Sequence, residues 1–278
     1  CAKKEEHESR VRRVTDIQEE ASCKMVSFFS NVDKVDVYGD TIAFKRAVIR
    51  DKMYPKQDEP IVLHMGAPTR YIASKENIEL KANELAYQVH LAFEGIKKEE
   101  RIAIFSLAPQ PLLFKLGMLL CDQLDTHVFQ YHREGDKWAW PEDNTSVVEY
   151  VTKNTHYSSN DVVALVIDLS AEIVDARITC VLGDDCSIYH LTIAEPNRDF
   201  VLNKRIQSGF VRVFRKVLEE IKNAHPKARR IHLFPAMPQS LAICAGMDYM
   251  PKADLPVTLY EQVDTSNGFI KTITIGGE

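Results

Sequence analysis

Two stretches decide the fold: IAIFSLAPQPLLFKLG at residues 102–117 and IHLFPAMPQSLAICAG at residues 231–246. They align without a gap at a constant offset of 129, and the likeness runs on for thirty positions. Ten of those positions are identical, pairing Ile102 with Ile231, Phe105 with Phe234, Pro109 with Pro238, Gln110 with Gln239 and Leu112 with Leu241. The series continues through Gly117 and Gly246, Met118 and Met247, Asp125 and Asp254, Val128 and Val257, and Tyr131 and Tyr260. Two generic strand-turn-helix units would share apolar positions. They would not share a Pro-Gln, a Gly-Met and a Tyr at one spacing, so an internal duplication is the reading.

Each copy is an apolar run of strand length, a proline turn and an amphipathic helix, followed by a second apolar run. Around the first copy, residues 61–65 read as a strand closed by Gly66-Ala67-Pro68, residues 77–96 as a helix and residues 127–132 as a strand. Around the second, residues 162–169 read as a strand, and residues 177–182 and 187–194 as a hairpin turning at Gly183. A strongly amphipathic helix follows on Phe210, Phe214, Val217, Leu218 and Ile221, and an alternating strand closes the chain at residues 269–275. Strands alternating with helices imply parallel pairing, hence an α/β fold of two fused Rossmann-like lobes with mainly parallel sheets. Residues 1–57 are expected to be a helical linker or the remnant of an upstream domain, because Val11, Val14, Ile17, Ala21, Met25 and Phe28 recur at helical spacing. Lobe one then spans about 58–155 and lobe two about 156–278. The first residue is Cys1, consistent with an excised piece of a longer chain.

The chain has 278 residues, 45% hydrophobic and 27% charged, with a formal charge of −5. This mix can bury a core, and it lacks the basic excess of a protein that coats nucleic acid backbone. No apolar run reaches the ~18 residues that span a bilayer, and no signal peptide opens the chain, so a cytoplasmic location is expected. Six cysteines are scattered without a CxxC pair and read as reduced core thiols, with no metal site. GxxxxGK[ST], GxGxxG and HExxH are all missing, which argues against triphosphate hydrolysis, dinucleotide redox chemistry and zinc proteolysis.

In open parallel sheets ligands bind beyond the carboxyl ends of the strands, where loops enter helix N-termini. The candidate ligand loops are therefore Gly66-Ala67 with Arg70, Pro109-Gln110, Ser170-Ala171-Glu172 and Met237-Pro238-Gln239. Prolines stiffen these turns and leave free helix N–H groups for an anion. Two such loop sets suit a ligand with repeated phosphates and bases, such as a cyclic oligonucleotide. Trp138, Trp140 and Tyr260, with Tyr71 and Tyr249, are candidates to stack on bases, and Arg133, with Lys153 and Arg198, to meet phosphate. Glu172, His132 and His232 are the only acid-base candidates, and they form no dense constellation, so no catalytic residue is assigned.

The two repeat segments, together with HVFQYHREGDKWAWP at residues 127–141 and VALVIDLSAEI at residues 163–173, resemble the SAVED domain, the sensor module of bacterial anti-phage CBASS effectors. The resemblance covers about residues 58–278, and HREGDKWAW is most similar to members fused to HNH-type endonucleases. It implies two CARF-like lobes that bind a cyclic di- or oligonucleotide made by a partner CD-NTase. It further implies homo-oligomerisation on ligand binding and activation of a fused or adjacent effector, a DNA endonuclease in the HNH type. The chain itself would carry no cofactor and no enzymatic activity. Two other readings stand beside it: a ring-nuclease-like enzyme that degrades the messenger, and an interaction module without a ligand.

Overall fold

The computed structural model describes residues 20–30, 40–63, 74–97, 100–120, 124–142, 144–263 and 268–277. Lobe one runs β1 (Ser22–Phe29), α1 (Thr41–Arg50), β2 (Tyr54–Pro55), β3 (Ile61–Leu63), α2 (Lys75–Phe93), β4 (Arg101–Leu107), α3 (Gln110–Leu120) and β5 (Asp125–Val128). Lobe two runs β6 (Val151–His156), β7 (Val163–Asp168), α4 (Asp175–Leu182), β8 (Ser187–Thr192), α5 (Lys204–Ala224), β9 (Ile231–Ala236), α6 (Gln239–Asp248), β10 (Val257–Gln262) and β11 (Phe269–Ile275).

The first sheet is parallel in the order β3-β1-β4-β5, with the two-residue β2 also on β1. The second has the parallel core β8-β7-β9-β10, edged by antiparallel β6 on β8 and antiparallel β11 on β10. In both lobes the first strand of the unit lies between the second and the third, the doubly wound order whose switch point opens a crevice between the first and third strands. The duplication seen in residues 102–131 and 231–260 therefore extends to the four-stranded parallel core of each lobe, to which lobe two adds its antiparallel edge strands.

Two sequence expectations are corrected. Ser22–Phe29 is a strand, not part of an N-terminal helix, and it pairs along its length with β4. Met25 is buried on one face among Phe44, Phe105 and Trp138, whereas Val26 and Phe28 are buried on the other. A central parallel strand covered on both faces has a continuous apolar run, and such a run also matches helical spacing when only every third or fourth residue is read. Residues 1–19 of that expected helix lie outside the described residues. The second correction is the hairpin: Asp175–Leu182 is a helix, and β7 and β8 are parallel strands joined through it. Ile178 faces the core with Val181 and Leu182 beside it, a three-and-four spacing, and Gly183 ends the helix at a φ of +84° with its N–H on Thr179 O at 2.8 Å. What looked like a hairpin tip is a helix C-terminus.

The lobes meet where α3 crosses α6. A Cβ on Gly117 would lie 2.0 Å from the Ile243 carbonyl oxygen, and one on Gly246 would lie 2.0 Å from that of Phe114. Since 114 and 243 are also 129 apart, the two contacts are interchanged by the repeat, and the crossing point is a pseudo-two-fold axis. The repeated glycine is thus explained by close backbone approach of two helices. Leu113, Phe114, Leu116, Leu241, Ala242 and Ala245 close around it in one continuous core.

Candidate functional site

The switch points of both lobes share a hydrogen bond. Ser30 N–H donates to Leu107 O at 3.0 Å in lobe one, and Leu169 N–H donates to Ala236 O at 2.9 Å in lobe two. Ser30 and Ser106, 6% and 1% exposed, stand at the carboxyl ends of β1 and β4 with hydroxyl groups that are buried and without a partner. Beyond the strand ends, α3 and α6 begin alike, with Pro109 O accepting from Leu112 and Leu113 N–H and Pro238 O from Leu241 and Ala242 N–H. Pro238 offers no side-chain cap, so the first N–H groups of α6 stay open to another acceptor.

A polar network bridges these two helix N-termini. Gln110 Nε2 donates to Met237 O at 2.8 Å, Gln130 Nε2 donates to both Tyr131 O and Gln239 Oε1 at 2.9 Å, and Ser240 Oγ donates to Gln130 Oε1 at 2.7 Å. Because a carbonyl only accepts, these bonds fix each amide's orientation. Gln110 is left with Oε1, an acceptor, and Gln239 with Nε2, a donor, and both atoms are buried and without a partner. Glu261, near the end of β10, is drawn into the same seam. Burial pushes its carboxyl up to about 8, the Gln110 N–H pulls the other way, and its Oε2 is buried without a partner. His132 is 6% exposed, its Nε2 is equally unpartnered, and burial lowers its pKa, opposed by Asp199. A buried polar atom without a hydrogen bond is destabilising, so these positions invite a partner from outside the chain.

The expected site residues are distributed as follows. Pro109, Gln110, Met237, Pro238 and Gln239 are together at the seam. Ser170, Ala171 and Glu172 form the loop after β7, with Ser170 N–H on Ala236 O at 2.7 Å and Ala171 and Glu172 exposed. Arg133 and Trp140 line a cleft of about 540 Å³ with Arg50, His132, Asp136 and Asp199. Gly66, Ala67, Arg70 and Tyr71 lie outside the described residues. Trp138 and Tyr260 are core aromatics, and stacking on a base from either ring is corrected. Trp138 is 3% exposed and meets Phe29, Phe44, Phe105 and Tyr131 edge-on, while Tyr260 stacks on Phe234 at 4.2 Å and bonds His232 Nδ1 through its hydroxyl at 2.9 Å. Tyr249 is likewise enclosed, its hydroxyl donating to Leu255 O and Ile275 O. His232 sits near the amino end of β9, at the other end of the sheet from Glu172, so those two acid-base candidates are not brought together.

Sequence reasoning missed Gln130 and Glu261 at the seam. The signal was present, for His132 and Glu261 are again 129 apart, one residue past the repeated Tyr131 and Tyr260. It also missed a triad in lobe two, in which His190 and Asp168 are buried and Asp175 is half-exposed. His190 Nδ1 faces Asp168 Oδ2 at 3.3 Å and its Nε2 faces Asp175 Oδ1 at 2.8 Å. Burial pulls this imidazole down, but the two carboxylates outweigh it and raise its pKa. Among the described residues no group of three His, Cys, Asp or Glu side chains is placed to hold a metal ion, and no helix is long and apolar enough to cross a membrane.

A family model for the SMODS-associated and fused to various effectors sensor domain, SAVED, matches residues 86–275. Among solved structures, the Cap4 SAVED/CARF-domain receptor of Acinetobacter baumannii with the cyclic trinucleotide 3′3′3′-cAAA superposes with a TM-score of 0.58 at 12% identity, covering 91% of this chain and 52% of that one. The same receptor with 2′3′3′-cAAA gives 0.57 at 12% identity, with 91% and 52% covered. The Moraxella osloensis Cap4 receptor gives 0.54 at 11% identity, with 92% and 50% covered. The chain thus spans about half the length of these receptors, and at such identities the likeness is one of fold. No curated protein sequence matches. With the family model covering both copies of the repeat and the α3–α6 crossing between them, the chain belongs to the SAVED family of sensor domains.

Proposed function

We propose that this SAVED domain binds a cyclic oligonucleotide at the seam between the N-termini of α3 and α6. The observation that carries the reading is the convergence of the duplicated Pro109-Gln110 and Pro238-Gln239 turns there, tied by the bond from Gln110 Nε2 to Met237 O. A ring with repeated phosphates and bases matches two equivalent loop sets around one axis. Helix N-termini supply N–H groups and favourable dipoles for its phosphates. The Cap4 receptor of A. baumannii, with the same fold, holds cyclic trinucleotides. Ser170, Ala171 and Glu172 from lobe two, and Arg133 and Trp140 from the neighbouring cleft, are the further contacts of the reading.

The messenger is a cyclic di- or trinucleotide made by a CD-NTase. Its binding drives homo-oligomerisation and switches on a fused effector, a DNA endonuclease, in anti-phage defence. A ligand moves such an equilibrium only by its differential affinity for the two assembly states.

A thermal-shift screen against cyclic di-, tri- and tetranucleotides, with linear nucleotides as controls, tests the reading. A ligand at about 100 times its Kd adds roughly 2.7 kcal/mol of stability. A selective shift with one cyclic species is expected. Equal shifts with linear and cyclic nucleotides, or none at all, contradict the reading.

A further inference from the structure

His190 is gripped from both ends of one loop. Its Nδ1 meets Asp168 Oδ2 at 3.3 Å, at the end of β7, and its Nε2 meets Asp175 Oδ1 at 2.8 Å, at the start of α4. Between those two aspartates lie residues 169–174, the loop that carries Ser170, Ala171 and Glu172. A carboxylate only accepts a hydrogen bond, so both ring nitrogens donate and the imidazole is the charged, doubly protonated form. One buried cation therefore closes the loop. The near end has other anchors, since Leu169 and Ser170 N–H both donate to Ala236 O. The far end has fewer. Val174 gives α4 no side-chain cap, and beside the His190 bond the buried side chain of Ile173 holds that end to the core.

The fold does not require this clasp. Val163 lies opposite Ile231 and Lys24 opposite Ile102, so the pairing registers place Asp168 where lobe one has Phe29. Tyr189 lies opposite Leu165 and Ile61 opposite Val26, which places His190 where lobe one has Val62. Apolar side chains serve at both positions in the first lobe. The second lobe buries a charge there instead, although the cost of desolvation offsets most of what an ion pair adds to stability. A charged group that brackets a candidate ligand loop in one lobe alone acts on the shape of that loop.

Building on the sensor reading, we infer that His190 is a positioning residue of the messenger loop: bonded to Asp168 and Asp175 together, its imidazolium fixes Ser170, Ala171 and Glu172 in the shape that meets the cyclic oligonucleotide. It touches no ligand and acts by preorganising the loop that does. Loss of the proton opens the clasp, because a neutral ring has one N–H for two carboxylates. Among the described residues the charged groups that face the ring are Asp168 from β7 and Asp175 from α4, with the exposed Lys153 of β6 paired across the strand. Burial pulls the ring's pKa down and the two carboxylates more than reverse it, so the clasp is closed at low pH and opens as pH rises through the raised value.

The test follows protection of the amides of residues 169–176 against hydrogen exchange in the intact chain, from about pH 6 to about pH 9. Over the same range, calorimetry measures affinity for whichever of cyclic di-, tri- and tetraadenylate and cyclic diguanylate the wild type binds. Wild type is expected to lose loop protection and about tenfold in affinity as pH rises, a usual size for coupling between two sites. Asp175→Ala should be weak in both at every pH. Asp175→Asn should flatten both profiles, because a neutral ring can donate to Asp168 through Nδ1 and accept at Nε2 from the new amide. An unchanged far-UV spectrum shows that the Ala variant folds. If it does not, the pH profiles of the Asn variant decide the matter alone. Asp175→Asn profiles that run parallel to wild type, or loop protection untouched in a folded Asp175→Ala, overturn the clasp. Protection lost with affinity unchanged overturns the positioning role and leaves the sensor reading standing. Binding of none of these rings, with loop protection as expected, overturns the sensor reading and leaves the clasp.

Discussion

Gly246→Ala puts a methyl group where α3 and α6 touch. Its Cβ would lie 2.0 Å from Phe114 O and 2.9 Å from Met118 N, both backbone atoms that cannot rotate aside. Carbon contacts become favourable only near about 3.5 Å, so the helices must separate by roughly 1.5 Å, and the apolar contacts around the crossing loosen with them. Overpacking of this kind costs about 1–3 kcal/mol, against a gain of about 1 kcal/mol from removing a glycine from a helix interior. With backbone on the far side we set the net loss at about 2 kcal/mol, a fall of roughly 5 °C in Tm for a chain of this size. Gly209→Ala on α5 is the matched control, because its Cβ would meet nothing nearer than Tyr150 Cε2 at 3.4 Å. There the helix-propensity gain survives, and up to about 1 kcal/mol of stabilisation is expected. Urea unfolding followed by far-UV circular dichroism measures both. One separation of the helices accommodates both methyl groups, so the Gly117→Ala/Gly246→Ala double variant should lose less than the sum of the singles. A neutral or stabilising Gly246→Ala, or strict additivity in the double variant, refutes the close crossing.

Other consequences follow from the buried groups. Glu261, raised to about 8 from an ordinary 4.5, holds a proton in the folded chain that the unfolded chain has lost, so its contribution is full below the lower value and declines as pH rises toward the higher. The slope is at most about 1.4 kcal/mol per pH unit, and Glu261→Gln should flatten it in urea midpoints taken between about pH 5 and 8. Parallel slopes contradict a buried neutral carboxyl. His190, raised above 6.5 by Asp168 and Asp175, stabilises below its unfolded pKa and loses that contribution as pH rises through its folded one. Asp168→Asn should therefore destabilise the chain more near pH 6 than near pH 9, and an equal loss at both removes the charged triad. Trp138→Ala should cost about 3–5 kcal/mol as a core deletion. An unchanged Tm would mean that the ring is not enclosed.

Much of the fold is legible in the sequence because the duplication is strong where the chain is amphipathic. The long helix over Phe210, Phe214 and Ile221 and the strands opening at Ile102 and Ile231 all read correctly from periodicity. Ser22–Phe29 did not, because a strand buried on both faces has no alternation to distinguish it from a helix. Nor did Asp175–Leu182, whose single fully buried residue, Ile178, leaves little pattern to read. Pro109-Gln110 and Pro238-Gln239 are candidates because the loops after parallel strands are where ligands bind, and the structure brings the two turns together. Trp138 and Tyr260 were misread because aromatic side chains are the same letters in a core as at a stacking platform. Only the packing of Phe29, Phe44 and Phe105 around one and Phe234 under the other tells them apart. Glu261 and His132 occupy equivalent positions of the repeat but differ in residue type, so identity alone does not single them out, and their buried polar atoms without partners do.

The proposed function has the duplicated Gln110 and Gln239 turns holding a cyclic oligonucleotide across the lobe axis. It is tested most directly by titrating wild type and the Gln110→Ala/Gln239→Ala variant with the cyclic species that shifts the wild-type Tm. Each substitution breaks one internal hydrogen bond, so the variant should stay folded with a loss of about 1 kcal/mol per site. Affinity reduced at least tenfold is expected in a variant that still unfolds cooperatively. Undiminished affinity in that variant contradicts it.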